Sequence, residues 1–475
     1  MTDMQPTDLL LRHGRVITMD PQRRVLVDGA IAIRDGRLVA VGPDRDVAPA
    51  ITATASRDLH GALVHPGLVD AHVHPSNDIS RGFAPKLIPD MTPIDMAMFT
   101  WPDSREIDYL GSLHSSMEMI ANGTTLFSDT GSAFHLGEAV RAFETVGIRA
   151  VTGSFLFGDT ELSGGQADVR GVGADEAELL RRPYETCVGL LTDQLTRYPF
   201  RGAGLVRGAV TLYGCGRASD RLMLTGMALA KQHGAPMIIH QHWGPDEAMS
   251  SQAAFGRAPI EHLADIGVLG PDLTLVHMIH LNASELELVI ESGARVVHCP
   301  GASMRRGMGA IRVGHFPEML AAGVTVGLGS DGYLNKRDVL RQAFLAILAH
   351  REVRAEYPIL TAETALEMAT LHGARALGME DEVGSLEAGK RADIVIHRTD
   401  RPEAHPVYGD PVDNLMLFRQ TSTVDTVLVD GQFVLDGGRF TRFDAADAYR
   451  SIDGLAARLE AAVGRGAFSQ WPLVE

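Results

Sequence analysis

Pro66-Gly67-Leu68-Val69-Asp70-Ala71-His72-Val73-His74 is an apolar run that reads as a buried strand and ends in two histidines one residue apart. Side chains at i and i+2 of a strand share a face, so both imidazoles point at one place. A divalent metal is the commonest occupant of such a place, because neutral imidazole nitrogen is a good ligand. A satisfied core pair is the plainer alternative. The two are separated only by what the rest of the chain supplies.

Working outward, apolar β-type runs alternate with helical patterns. Strands are expected at Leu68–Val73, Thr124–Ser128, Ile148–Ser154, Val206–Thr211, Met237–His240, Leu273–Met278, Ala294–His298 and Val324–Ser330. Helical stretches such as Glu285–Ser292, Pro317–Ala322 and Val339–His350 lie between or after them. Eight strands with intervening helices over roughly 300 residues fit an α/β fold of the (β/α)8 TIM-barrel kind. Gly158–Arg182 carries no strand signal and reads as an insertion after the third strand. The two ends of the chain differ from this middle. Short alternating runs near the N-terminus are separated by turn signals including Asp28-Gly29 and Asp35-Gly36, and Asp430-Gly431 repeats the pattern near the C-terminus. Asp-Gly between alternating runs marks hairpins. One small β-sandwich domain built from both termini is therefore expected. The boundaries read as 1–65 for its first part, 66–383 for the barrel, 384–445 for its second part and 446–475 for a C-terminal amphipathic helix.

The chain has 475 residues, with 43 basic and 60 acidic side chains and a net charge of −17. Such a surface repels nucleic-acid phosphates and anionic lipid, so neither is an expected partner. Cys187, Cys215 and Cys299 are odd in number and widely spaced, which argues for free thiols. No leader pattern or membrane-length apolar run is present, and a cytoplasmic location is the expectation.

Chemistry in such a barrel sits at the C-terminal ends of the strands. Strand one ends in His72-Val73-His74, strand five in His240-Gln241-His242, strand six in His277-Met278-Ile279-His280, strand seven in His298-Cys299-Pro300, and strand eight in Ser330-Asp331-Gly332. One histidine at a strand end is commonplace; metal-ligand types at five strand ends are not. Imidazoles with one carboxylate suit zinc or ferrous iron, and a position left for water makes such a site catalytic. The water's pKa falls toward neutrality, Asp331 can take its proton, and His277 can orient the water or polarise the electrophile.

These segments resemble the amidohydrolase superfamily, in its mononuclear branch of cytosine-deaminase-like and triazine-hydrolase-like enzymes. Arg81-Gly82-Phe83, Asn122-Gly123-Thr124-Thr125 and Gly384-Ser385-Leu386-Glu387-Ala388-Gly389 extend the resemblance to nearly the whole chain. It implies His72, His74, His240 and Asp331 as ligands of one divalent metal, zinc ahead of iron, a ligand or water-positioning role for His277, and a homo-oligomer acting on a small molecule. Strand four, Gly208-Ala209-Val210-Thr211-Leu212-Tyr213, lacks the bridging lysine of binuclear branches and the histidine usual after it. The glutamate usual three residues after the fifth-strand histidine is replaced by Trp243. His242 is then either the proton shuttle or a packed neighbour, and Glu247 either a substitute acid or a helix-start carboxylate. Trp243 and His298 are the candidate substrate-binding residues. The expected activity is hydrolysis of a carbon–nitrogen bond, foremost deamination of an N-heterocycle. Hydrolysis of an amide or urea, displacement of another leaving group from such a ring, or a non-catalytic barrel are the other readings.

Overall fold

The computed structural model describes residues 5–82, 101, 103–156, 158–159, 182–332 and 335–463. The chain begins with β1 (Gln5–Ile17), β2 (Val25–Arg34) and β3 (Arg37–Pro43), paired antiparallel in sequence. Asp35 and Gly36 both have positive φ, +52° and +74°, as a tight hairpin turn between β2 and β3 demands. Asp28-Gly29 differs from expectation. It makes no turn but lies inside β2, where Gly29 faces a register shift of β1. A Cβ there would come within 2.9 Å of Val16 Cγ2, so this glycine serves close approach at a bulge. β4 (Ile51–Asp58) and β5 (Leu63–Pro66) then run parallel to β1.

The barrel follows, with strands β6 (Leu68–Val73), β7 (Thr124–Ala133), β8 (Arg149–Ser154), β9 (Val206–Gly208), β10 (Val210–Leu212), β11 (Met237–Gln241), β12 (Leu273–His277), β13 (Arg295–His298) and β14 (Val326–Leu328). All their pairings are parallel, and nearly every strand residue is buried, as continuous apolar runs covered on both faces require. The expected fourth strand is divided at Ala209. Its first half pairs with β8 and its second with β11, so it joins the two runs of strands. Parallel pairing of Val73 with Asp331 brings β6 and the end of β14 together and closes the barrel at the level of the histidines.

Helices cross between the strands. Asp220–His233 shows why such a segment folds: the Ser219 hydroxyl accepts from Leu222 N–H at its start, and Gly234 at φ +60° ends it. Leu222, Met223, Gly226, Met227 and Ala230 form its buried stripe. The expected insertion lies outside the described residues except for 158, 159 and 182, as does Phe83.

β15 (Ile394–His397), β16 (Val424–Val429), β17 (Gln432–Asp436) and β18 (Arg439–Phe440) return to the first sheet by pairing β15 with β5, giving nine strands in one sheet. Asp430-Gly431 makes the expected hairpin, with φ +49° and +69°. Arg149, fully buried at the start of β8, ties barrel to sheet through Asp393 (3.1 Å) and Asp430 (2.7 Å). The helix Ala445–Val463 buries Ala448, Ile452, Leu455 and Leu459 toward the helix Ser104–Ala121. Full burial of each leucine is worth about 2 kcal/mol. Cys187, Cys215 and Cys299 are free thiols. No helix among the described residues is long and apolar enough to cross a membrane.

Candidate active site

His72 is the fifth residue of β6, and His74 follows the strand's end. His240 is the fourth residue of β11, and Asp331 lies just past β14. The barrel thus delivers all four side chains to one end. The Nε2 atoms of His72 and His74 each lie 3.5 Å from Asp331 Oδ1, and His240 Nε2 is 3.3 Å from His74 Nε2. The His74 and His240 rings stack at 11°, with centroids 5.3 Å apart. His277, last residue of β12, lies with His72 and His240 in a second group whose donor atoms are mutually within 4.8 Å. All five residues are buried.

This donor set fits a divalent metal ion. His72 Nε2 is buried with no hydrogen-bond partner, although an orphaned buried nitrogen is costly unless something occupies its lone pair. Its Nδ1 is 2.8 Å from Thr130 Oγ1, and the tautomer in which Nδ1–H donates to that hydroxyl is the one that leaves Nε2 bare to ligate. Burial and the neighbouring imidazoles hold His74 and His240 well below the usual histidine range, which keeps their nitrogens free to ligate. Burial would raise the Asp331 carboxyl. The close approach of His72 and the nearby His277 and Arg306 side chains instead carry it well below the usual carboxylate range. Asp331 and His277 are both held at positive φ, +62° and +84°, the kind of backbone strain that gathers at functional sites.

Beneath these groups lies a scaffold that the motifs do not announce. Asp70 accepts from Ser330 N–H (2.9 Å) and Ser330 Oγ–H (2.5 Å), joining β6 to the end of β14. Arg337, fully buried, donates to Ser330 Oγ (3.3 Å), to the carbonyls of Asp331, Gly332 (3.0 Å) and His74 (3.4 Å), and to Asp78 Oδ1 (3.0 Å). Thr130 follows from its place near the end of a barrel strand. Nothing in the sequence singles out Arg337.

The remaining candidates are placed differently from one another. β11 ends at Gln241, and His242 takes φ +55°, so strand alternation stops before it. Its Nε2 is 2.7 Å from Glu285 Oε1, and it belongs to neither group of converging donor atoms. Glu247 receives Gln241 Nε2–H (2.7 Å) and the backbone N–H groups of His242 (2.8 Å), Trp243 (3.0 Å) and Gly244 (3.3 Å). That carboxylate anchors the turn after β11. Trp243 faces the cluster: its ring is 6.4 Å from that of His277 and inclined at 18°, and Arg217 lies 4.6 Å above it. His298 is buried against the outer helices, stacked 3.8 Å from Phe316 and 3.4 Å by Nε2 from His350 Nε2. Tyr213, where the resemblance leads one to look for a histidine, stacks on His240 at 4.3 Å and 9°.

The profile of the amidohydrolase family matches residues 63–434. A 5-methylthioadenosine/S-adenosylhomocysteine deaminase of Syntrophobacter fumaroxidans is 32% identical over 94% of this chain and 97% of its own length. Among solved structures, a zinc-bound adenosine deaminase from Xanthomonas campestris matches with a TM-score of 0.82 and 25% identity, over 96% of this chain and 100% of that one. A triazine hydrolase from Arthrobacter aurescens gives 0.81 and 25%, over 94% and 99%. The parallel closed barrel, the buried imidazole–carboxylate cluster and these matches agree: this chain belongs to the amidohydrolase family, as a hydrolase acting on carbon–nitrogen bonds other than peptide bonds.

Proposed function

We propose that the protein is a zinc-dependent aminohydrolase that removes the exocyclic amino group of an adenine nucleoside, with 5′-thioether adenosines as the preferred class. The observation that carries this reading is the buried donor set of His72, His74, His240 and Asp331, in a chain 32% identical to a deaminase of such nucleosides over 94% of its length. These four residues would hold one zinc ion. Zinc at such a site supplies Lewis-acid polarisation and lowers the pKa of water.

The chain's own residues supply the rest. Thr130 fixes the His72 tautomer, so Nε2 is the ligating atom. Asp331, kept ionised, accepts a proton from the attacking water and returns it to the departing nitrogen, which leaves as ammonia. His277 faces the same space and holds the substrate's ring nitrogen. Trp243, nearly parallel to His277, offers a flat wall for an aromatic ring. Cytosolic operation as a homo-oligomer completes the reading.

The test is ammonia release by zinc-loaded protein from 5′-methylthioadenosine, adenosine, cytosine and an aminotriazine, before and after chelation. Turnover of the adenosines, lost with zinc and restored by it, is expected. Turnover of simple amides with no ammonia from any heterocycle would overturn the proposal.

A further inference from the structure

A cavity of about 460 Å³ lies between the helix Pro300–Arg306 and the first turns of the helix Val339–Arg354. None of its lining residues belongs to the imidazole–carboxylate cluster. Among its described lining residues three are cations, Arg305, Lys336 and Arg341, and none is a carboxylate. In a chain carrying 60 acidic residues against 43 basic ones, such a local excess of one sign is unexpected of a surface that only confers solubility.

Two of the three cations are not accounted for by ion pairing. Lys336 reaches Asp338 at 3.0 Å, but the side chains of Arg305 and Arg341 form no ion pair or hydrogen bond among the described residues. Arg341 is the third residue of its helix, where the exposed N–H dipoles oppose a positive charge. The floor also donates. Gln342 is 1% exposed, and its Oε1 is committed to Gly301 N–H at 2.9 Å. Gln342 itself lines the cavity, and its Nε2 is the donor that side chain still has to offer. An amide donor at a cavity ringed by guanidinium and ammonium groups matches a multi-oxygen anion. Arginine's planar fork pairs two phosphate oxygens at once.

We propose that this cavity binds a phosphate group, held by Arg305, Arg341, Lys336 and the Gln342 Nε2–H. The site stands beside the segment that begins at the candidate ligand Asp331, yet its occupancy does not depend on the reaction assigned above.

Isothermal titration of the zinc-loaded protein at fixed ionic strength tests this, with inorganic phosphate, a sugar phosphate monoester and chloride as probes. Saturable binding of one phosphate per chain is expected, weakened about tenfold or more by Arg341→Gln and by Arg305→Gln. Tighter binding of the ester would identify a phosphorylated metabolite as the ligand, and equal binding would identify free phosphate. Lys231→Gln, in a cationic cleft at the N-terminal end of β12 and β13, should leave affinity unchanged. Thermal unfolding of each variant confirms that it is folded, since both arginines are exposed. Three results would overturn the proposal: chloride matching phosphate, affinity unchanged in both arginine variants, or binding abolished by zinc removal, which would place the anion on the metal instead.

Discussion

Arg337→Met tests how the centre is assembled. The Arg337 guanidinium holds the segments that follow β6 and β14, and each of those segments carries a candidate ligand. Methionine preserves much of the apolar stem and removes every donor. Asp78, itself fully buried, would keep Arg81 at 2.9 Å and His114 at 3.3 Å but lose its deepest partner. Breaking a buried pair from one side costs about 3–5 kcal/mol. The surviving Arg81 contact puts the expected loss at the lower end, about 3 kcal/mol, and most of it resides in the abandoned carboxylate rather than in the lost attraction. The assay is urea unfolding of the metal-free protein, joined to zinc affinity by chelator competition. Stability should fall by that amount, and zinc should bind about 10–100-fold more weakly because the ligand-bearing loops are no longer pinned. Adding Asp78→Asn removes the stranded charge, so the double variant should be more stable than the sum of the two single losses by about 1 kcal/mol or more. If Arg337→Met stays within about 0.5 kcal/mol of the parent and its zinc affinity is unaltered, the reasoning fails.

Two further outcomes are expected. His65 and His397 are fully buried with their Nε2 atoms 2.9 Å apart; His65 Nδ1–H donates to Pro66 O, and the Thr423 hydroxyl lies 2.7 Å from His397 Nδ1. Burial lowers His65 to about 4 and His397 well below the usual range, so the unfolded chain binds more protons below pH 6.5. Stability from this pair is complete above about pH 6.5 and drains away as pH falls toward 4, by about 3 kcal/mol for His65 alone. Unfolding midpoints from pH 8 to 5 should drop more steeply for the parent than for a His65→Leu/His397→Leu variant; equal slopes would contradict the linkage. Glu247→Gln places an NH2 group against N–H donors and strands up to two of them, at about 1–3 kcal/mol each. The protein should lose stability while the pH dependence of kcat keeps its shape; a vanished limb of that profile would instead assign Glu247 to proton transfer.

What the sequence disclosed follows the range of the forces involved. β6 was legible residue by residue because an apolar run bounded by Pro66-Gly67 and two histidines admits one register. The strands that carry His240 and lead to Asp331 were legible as apolar runs, although β11 extends to Gln241 and β14 covers only Val326–Leu328, inside the expected 324–330. His240 and Asp331 still converge with His72 and His74. His242 shows where the period-2 argument stops, since one residue at φ +55° turns its ring to Glu285. His298 shows another limit. It ends β13 as expected, but its surroundings are set by Phe316 and His350, which belong to helices whose docking no local pattern encodes. Arg337 was invisible because a buried arginine is chosen by carbonyls and a carboxylate that only the closed barrel brings together.

The segment after His240 bears directly on proton traffic. Trp243 occupies the position where a carboxylic acid was looked for, and Glu247 has committed both oxygens to the turn. Glu285 is engaged with His242, Asn282 N–H and Ile260 N–H. Asp129, which burial raises to about 7, receives Gly131 N–H and Ser132 N–H and so shapes the bulge that presents Thr130. Of these carboxylates only Asp331 belongs to the imidazole cluster. Attack on a purine C6 pushes charge onto the adjacent ring nitrogen, which then needs a proton of its own. On the proposed reading that proton is delivered by an imidazole, and His277 is the cluster member that also faces the Trp243 wall. A deaminase built this way divides its acid–base work between one carboxylate and one histidine, and its rate should depend on the protonation of His277 in a way that a carboxylic acid at position 243 would mask.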